Sequence, residues 1–280
     1  MAQADRFLLA GVMGWPVMHS RSPRLHNYWL AKYALVGTYV PLAIEAPRLR
    51  PALRALPALG FAGCNLTIPH KEAALAMLDA VDPLAQRIGA VNTVVVRPDG
   101  SLSGENTDAF GFIESVREAQ PLWRADAGPI VLIGAGGAAR AVLAGLLDAG
   151  AREIRLVNRT HARARSLARE GGPTVAALEW REREAALAGA AMLINATSQG
   201  MLGEPPLELA LETLPRSAVV CDIVYIPRET PLLAAARAAG HPAVNGLGML
   251  LHQARPAFRA WFGIMPEVTP ELRALIEATT

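Results

Sequence analysis

The feature that most restricts this chain is a glycine turn near its middle. Ile130–Ile133 reads as a short apolar strand running straight into Gly134-Ala135-Gly136-Gly137-Ala138-Ala139-Arg140, and a helical pattern continues from there to Gly150. Strand, Gly-x-Gly-x-x-Ala and helix in that order form a dinucleotide-binding fingerprint. The first glycine permits the tight turn, and the second lets backbone approach a pyrophosphate. The third place needs only a small residue where helix packs on strand. Phosphates would then meet the free amides and positive dipole end of the helix.

The next strand decides which dinucleotide. Glu153–Val157 ends about 24 residues after the first glycine, where an acidic residue would accept hydrogen bonds from a ribose 2′-hydroxyl and repel a phosphate. The chain has Asn158-Arg159-Thr160 there instead, with Arg163 one turn further on. An amide, a hydroxyl and two guanidinium groups suit a 2′-phosphate, so NADP is expected over NAD. Each charge-assisted hydrogen bond is worth about 1.5–3 kcal/mol, roughly a 10- to 100-fold preference.

Strand and helix patterns alternate before this unit too. Leu8–Met13, Tyr39–Ile44 and Gly63–Ile68 read as strands, Pro47–Leu59 as a helix, and Pro69 as the start of a helix carrying Lys71 in its first turn. Ser22 reads as an N-cap ahead of Pro23, and Asp82-Pro83 opens a short helix. Val91–Arg97 and Ser101–Glu105 form a hairpin around Pro98-Asp99-Gly100, and Asp108 reads as the cap of a helix over Ala109–Ala119. Pro121–Gly128 has the composition of a connection between two units. Beyond the fingerprint, Met192–Asn195 and Ala218–Ile223 read as strands, Thr230–Gly240 as a helix, and Leu247–Phe262 as a last long helix capped by Asn245-Gly246. Such alternation argues for largely parallel α/β layers.

Several function classes fall away on composition. The net charge of +2, without a clustered basic run, argues against nucleic acid. No apolar stretch reaches the roughly 18 residues of a membrane span. Asp5 within the would-be basic region and Trp15-Pro16 after Phe7–Met13 argue for a buried first strand over a signal peptide. Cys64 and Cys221 lie in apolar stretches and form no Cys-x-x-Cys spacing, so a reducing, cytoplasmic setting is expected. All but two of the 27 basic residues are arginine, the exceptions being Lys32 and Lys71. Lys32 fits an ordinary helical pattern. At Lys71 the ammonium itself is the expected requirement, because a guanidinium does not exchange a proton near neutral pH.

Polar residues in the first third fall at strand ends and helix starts: Ser20 and Ser22, Asn65 and Thr67, Lys71, Asn92-Thr93, and Asn106-Thr107-Asp108. Open α/β sheets place ligands at such positions, and hydroxyls, amides and one ammonium suit a small polyhydroxylated acid. His19, His26, His70 and His252 show no metal-ligand spacing, so no metal is expected. His26 and His252 read as interior helix residues with satisfied ring nitrogens.

His19-Ser20-Arg21-Ser22-Pro23, Asn65-Leu66-Thr67-Ile68-Pro69-His70-Lys71, Gly89-Ala90-Val91-Asn92-Thr93 and Asn106-Thr107-Asp108 resemble the successive motifs of shikimate dehydrogenases. Gly134–Arg140, Asn158-Arg159-Thr160, Asn195-Ala196-Thr197-Ser198, Asp222–Pro227 and Asn245-Gly246 to Gln253 continue the resemblance across nearly the whole chain. Trp15 and Met18 depart from it, standing where smaller or charged residues are common. The resemblance implies an α/β fold of two domains with a cleft between them. One is a substrate domain of residues 1–108 plus 247–280, to which the C-terminal helices return; the other is a Rossmann-type NADP-binding domain of residues 109–246.

It also implies roles. Ser20 and Ser22 would hold a carboxylate, with Tyr225 nearby, while Thr67, Asn92, Asp108 and Gln253 would hydrogen-bond ring hydroxyls beside Lys71. Gly134, Ala135, Gly136, Gly137, Ala138, Asn158, Arg159, Thr160 and Arg163 would hold the dinucleotide phosphates, and Thr197, Ser198, Ile223, Gly246 and Met249 would line the rest of the cofactor. The implied reaction is the reversible reduction of 3-dehydroshikimate to shikimate, a step toward chorismate and the aromatic amino acids, with Lys71 and Asp108 carrying the proton chemistry. The expected partner is a small-molecule substrate, and the chain a monomer or homodimer. Two alternatives share these motifs: a paralogue acting on quinate, and a ligand sensor without turnover, which would have no need of a proton donor beside its ligand.

Overall fold

The computed structural model of the chain describes residues 7–278; Asp5 and Arg6, used in the N-terminal reading, lie outside the described residues. The chain divides into two compact units, one made of residues up to Thr107 together with those from Leu251 on, the other of Asp108–Leu250.

The first unit carries β1 (Leu8–Gly14), α1 (Ser22–Lys32), β2 (Gly37–Ala43), α2 (Leu49–Ala55), β3 (Phe61–Leu66), β4 (Ala80–Val81), α3 (Pro83–Ile88), β5 (Thr93–Val96) and β6 (Leu102–Glu105). Its sheet has the order β2-β1-β3-β5-β6-β4. The strands β2, β1 and β3 run parallel, β5 and β6 form an antiparallel hairpin, and β4 lies parallel to β6. This mixed order has one consequence for function. Met13 pairs with Leu66, Asn65 with Thr93, and Thr93 with Glu105, so the segments after β1, β3 and β6 and before β5 all emerge at one edge.

Two expected helices differ. A helix over Pro47–Leu59 is cut down to a 3-10 turn at Ala46–Arg48 and α2, which ends at Ala55. Pro57 has no amide to give the Leu53 carbonyl, which takes Leu56 N at 3.2 Å. No α-helix starts at Pro69: Ile68–Pro69 is cis, His70 N turns back to Thr67 O at 2.8 Å, and only a 3-10 segment at Ala73–Met77 follows. The Lys71 carbonyl that a helix would use locally accepts instead from Val91 N at 2.8 Å.

The second unit carries α4 (Asp108–Ala119), β7 (Ile130–Ile133), α5 (Gly137–Asp148), β8 (Ile154–Val157), α6 (His161–Gly171), β9 (Val175–Leu178), β10 (Met192–Asn195), β11 (Val219–Asp222), α7 (Pro231–Ala238) and β12 (Ala243–Asn245). Its sheet, ordered β12-β11-β10-β7-β8-β9, is parallel throughout. Successive side chains alternate between two apolar layers: Ile130, Leu132, Met192 and Ile194 enter one, Val131, Ile133 and Leu193 the other. Burial on both faces explains why these strands read as unbroken apolar runs.

The boundary between the units falls inside α8 (Leu247–Phe262), between Leu250 and Leu251. The rest of α8 and α9 (Pro270–Glu277) complete the first unit. There Trp261 Nε1 donates to Val94 O at 2.9 Å, Trp29 Nε1 to Glu267 O at 3.2 Å, and Arg21 to Ile276 O at 3.0 Å. Among the described residues no helix is long and apolar enough to cross a membrane.

Candidate active site

The common sheet edge of the first unit gathers a buried polar group. Asn92, just before β5, is 2% exposed, and its side-chain oxygen accepts from Thr107 N at 2.8 Å and from the Thr93 hydroxyl at 3.0 Å. Its nitrogen donates to the Thr107 hydroxyl at 2.9 Å and to Gln253 Oε1, from α8, at 3.3 Å. Asn65 donates to Asn92 O at 3.0 Å and to the Thr93 hydroxyl at 3.1 Å, and accepts from the Tyr39 hydroxyl at 2.7 Å. Buried amides of this kind are tolerated only when partnered, and here one set of hydrogen bonds ties β2, β3, β5, the segment after β6 and α8 together.

The residues expected to meet a substrate are placed as follows. Val91 N binds the Lys71 carbonyl, so half-buried Lys71 is anchored one residue from Asn92. Buried Asp108 directly follows Thr107 and is the first residue of α4, not a cap outside it. Thr67 is held beyond the end of β3 by its amide bond to Met13 O at 3.0 Å. Ser22 is not an N-cap either: Arg21 already has helical angles and occupies that place, and Ser22 N donates to Ser20 Oγ at 3.3 Å. The buried Ser22 side chain reaches the Tyr39 phenol. Burial raises the Tyr39 pKa well above its ordinary value, with the Cys64 sulfur adding to the effect and Ser22 opposing it. Tyr39 therefore keeps its proton and serves as a donor.

In the second unit the strand order reverses between β10 and β7, and ligands of open α/β sheets bind at such a switch point, beyond the strand C-termini. Gly134 follows β7 with φ 123°, and a Cβ there would lie 2.7 Å from Ala196 O, which follows β10. Only glycine fits between these neighbouring loops. Gly136, the N-cap of α5, has no side-chain cap, and a Cβ on it would meet no atom within 4 Å. A helix start of 12 residues with uncapped amides and open space above its glycine fits a dinucleotide pyrophosphate. Ala135 is buried in this turn, and Gly137 and Ala138 open α5 partly exposed.

Asn158 follows β8 and folds its amide onto Thr160 O at 2.9 Å, leaving Arg159, Thr160 and Arg163 exposed at the surface. Arg140 is paired with Glu170. After β10, the Thr197 hydroxyl donates to Asn195 Oδ1 at 2.7 Å and accepts from Gln199 N at 3.1 Å, so it shapes its own loop, while Ser198 is exposed. Gly246 is buried, and a Cβ there would lie 2.0 Å from the Ile223 carbonyl, so close backbone packing alone requires glycine. Met249 belongs to the unit's apolar core with Ile223 packed against it, and Tyr225 is half-buried beyond β11.

Sequence reading did not assign a role to Asn195 and Asp222. Asn195 donates to Asp222 Oδ1 at 3.1 Å and to Gln199 O at 3.0 Å, while Asp222 accepts from Thr230 at 2.7 Å and Val224 N at 3.0 Å. Burial pushes the Asp222 carboxyl up, and these donors oppose the shift. The pair joins the loops after β10 and β11; no spacing signal announces it, because the partners are 27 positions apart.

Among the described residues no group of three His, Cys, Asp or Glu could hold a metal ion. His70 Nε2 meets Ile44 O at 2.7 Å. The expectation of satisfied nitrogens fails at His26, neither of whose ring nitrogens has a hydrogen-bond partner. Helix α1 carries that imidazole among the rings of Tyr39, Trp29, Phe258 and Trp261.

Known families and proteins match this chain over most of its length. The "Shikimate dehydrogenase substrate binding domain" matches residues 12–94, "Shikimate / quinate 5-dehydrogenase" residues 119–230, and "Shikimate 5'-dehydrogenase C-terminal domain" residues 246–275. The chain is 56% identical over 268 residues to the shikimate dehydrogenase (NADP(+)) of Paramagnetospirillum magneticum, covering 96% of this chain and 97% of that one. Among solved structures it resembles the Thermus thermophilus shikimate 5-dehydrogenase in complex with NADP(H) and shikimate (TM-score 0.84, 39% identity, 97% and 98% of the two chains). It also resembles the Corynebacterium glutamicum quinate dehydrogenase in complex with NAD (TM-score 0.89, 33% identity, 97% and 99%).

Proposed function

The chain belongs to the shikimate dehydrogenase family, and on that premise we propose that it catalyses the reversible NADP-dependent reduction of 3-dehydroshikimate to shikimate. The observation that carries this reading is the Asn92 group with Thr107 and Gln253, flanked in the chain by Lys71 and Asp108. The group offers amides and hydroxyls that suit a hydroxylated ring, and Lys71 and Asp108 would add an ammonium and a carboxylate for a proton transfer.

In this proposal the first unit, as substrate domain, binds the ring. Ser20 and Ser22 take the carboxylate with help from Tyr225. Thr67, Asn92, Asp108 and Gln253 take the hydroxyls. The uncapped start of α5 takes the pyrophosphate, and Asn158, Arg159, Thr160 and Arg163 take the 2′-phosphate, with Thr197, Ser198, Ile223, Gly246 and Met249 along the remainder. Bound NADPH supplies the hydride. Lys71 stabilises the alkoxide that develops at the former ketone oxygen and gives it a proton, while Asp108 orients the ammonium and balances its charge. In the reverse direction Lys71 accepts the proton. The enzyme works in the cytoplasm as a monomer or homodimer, in the route to chorismate.

The test is absorbance at the nicotinamide band with shikimate and NADP. Turnover is expected; saturable binding of both without turnover would make the protein a sensor. The likeness to a quinate dehydrogenase bound to NAD favours one further reading, use of quinate. Comparing kcat/KM for shikimate and quinate with NADP and with NAD separates the two. The retention of Ser20 and Ser22 leads us to expect shikimate to win, and Asn158-Arg159-Thr160, without an acidic residue, NADP.

A further inference from the structure

Hydrogen-bond direction within the Asn92 group can be read from two backbone groups whose roles are chemically forced. A carbonyl only accepts, so Asn92 O identifies the Asn65 side-chain atom facing it at 3.0 Å as nitrogen, and turns the Asn65 oxygen to the Tyr39 hydroxyl. A backbone amide only donates, so Thr107 N identifies the atom 2.8 Å away as the Asn92 side-chain oxygen, and turns the Asn92 nitrogen toward Gln253. Thr93 lies between these two oriented amides. Its hydroxyl accepts from Asn65 Nδ2 at 3.1 Å and donates to Asn92 Oδ1 at 3.0 Å, and the residue is 0% exposed, so bulk solvent does not compete for these bonds.

We propose that Thr93 is a positioning residue for the reaction: its hydroxyl links the Tyr39–Asn65 pair to Asn92, and so fixes the face that the Asn92 amide turns to a ligand. The proposal rests on the reading of Asn92 as a substrate-binding residue. A β-branched residue suits this strand for packing alone, so the hydroxyl and the methyl group must be tested apart.

Three substitutions separate them: Thr93→Val keeps the shape and removes the hydroxyl, Thr93→Ser keeps the hydroxyl and removes the methyl, and Thr93→Ala removes both. We expect kcat/KM for shikimate to fall about ten-fold in Thr93→Val and Thr93→Ala and to stay within about two-fold in Thr93→Ser, with KM for NADP unchanged in all three. In an Asn92→Ala background, Thr93→Val should cost nothing more. Retained efficiency in Thr93→Val with loss in Thr93→Ser would reduce Thr93 to a packing residue and overturn the proposal, as would an additive double variant. Should Thr93→Val not fold, equal losses in Thr93→Ser and Thr93→Ala would overturn it. Asn92→Ala alone tells the two levels apart: full efficiency in that variant removes the reading of Asn92 itself, whereas a loss there with none in Thr93→Val removes only the role of Thr93.

Discussion

The imidazole of His26 lies flat on the phenol ring of Tyr39, with centroids 4.2 Å apart and planes 10° from parallel. Tyr39 is also the donor to Asn65, so the ring stack supports the polar group of the candidate site from below the surface. Burial alone lowers the His26 pKa from 6.5 to about 3.

A pH dependence of stability follows. The folded chain excludes a proton that the unfolded chain binds below its ordinary value of 6.5, so the contribution of His26 is complete above that value and is lost as pH falls toward about 3. The slope is about 1.4 kcal/mol per pH unit within that window. His26→Phe should flatten this limb of the curve and, by removing two unpartnered nitrogens, leave stability near pH 7 unchanged or raised. Urea unfolding midpoints across the window, compared between the two proteins, check it; an unaltered slope in the variant refutes the assignment.

Two glycines of one turn should fail in different ways. Gly134→Ala forces a Cβ against the Ala196 carbonyl at positive φ and should lower Tm by several degrees. Gly136→Ala meets open space and should melt like the parent, yet raise KM for NADP by about ten-fold or more by obstructing the phosphates. Thermal melts with cofactor titrations distinguish them, and normal NADP affinity in Gly136→Ala would count against the placement of the pyrophosphate.

Arg159→Ala should reduce kcat/KM with NADP by roughly 10- to 100-fold and leave the NAD value within about two-fold. Asn158→Asp, which adds a negative charge at the same strand end, should shift the NADP to NAD ratio the same way. Equal losses with both cofactors would point to a structural role for Arg159.

Lys71→Ala should lower kcat by about 10²–10⁴-fold with little change in the KM for shikimate. Steady-state kinetics at saturating cofactor decide this, and near-parental turnover would remove Lys71 from the proton transfer.

The second unit's sheet was the most legible part, because parallel strands buried on both faces leave continuous apolar runs such as Ile130–Ile133 and Met192–Asn195. The strands that escaped notice, β4, β9 and β12, are two to four residues long and rich in alanine, too short to show a period. Proline at a first helical position predicts a helix at Pro69, but the Lys71 carbonyl bonds to Val91 N instead, a contact that no local pattern encodes. The same limit hid the site's internal order. Asn65, Asn92 and Asp108 stand out as polar residues at element ends, but Asn92 meets Gln253 across 161 positions, and no local pattern encodes that bond. Ser22 shows the converse case: Ser-Pro announces a helix start correctly to within one residue, and that residue decides whether the hydroxyl caps or points inward.

The nesting of Asp108–Leu250 within the other unit has a consequence for biogenesis. On a ribosome the inserted half can fold as soon as its own residues have emerged. The half begun first must wait with its sheet lacking Trp261, Phe258 and α9 until translation passes them. Nascent chains stalled between those two points would therefore expose apolar surface to chaperones on the older half while the younger one is already closed.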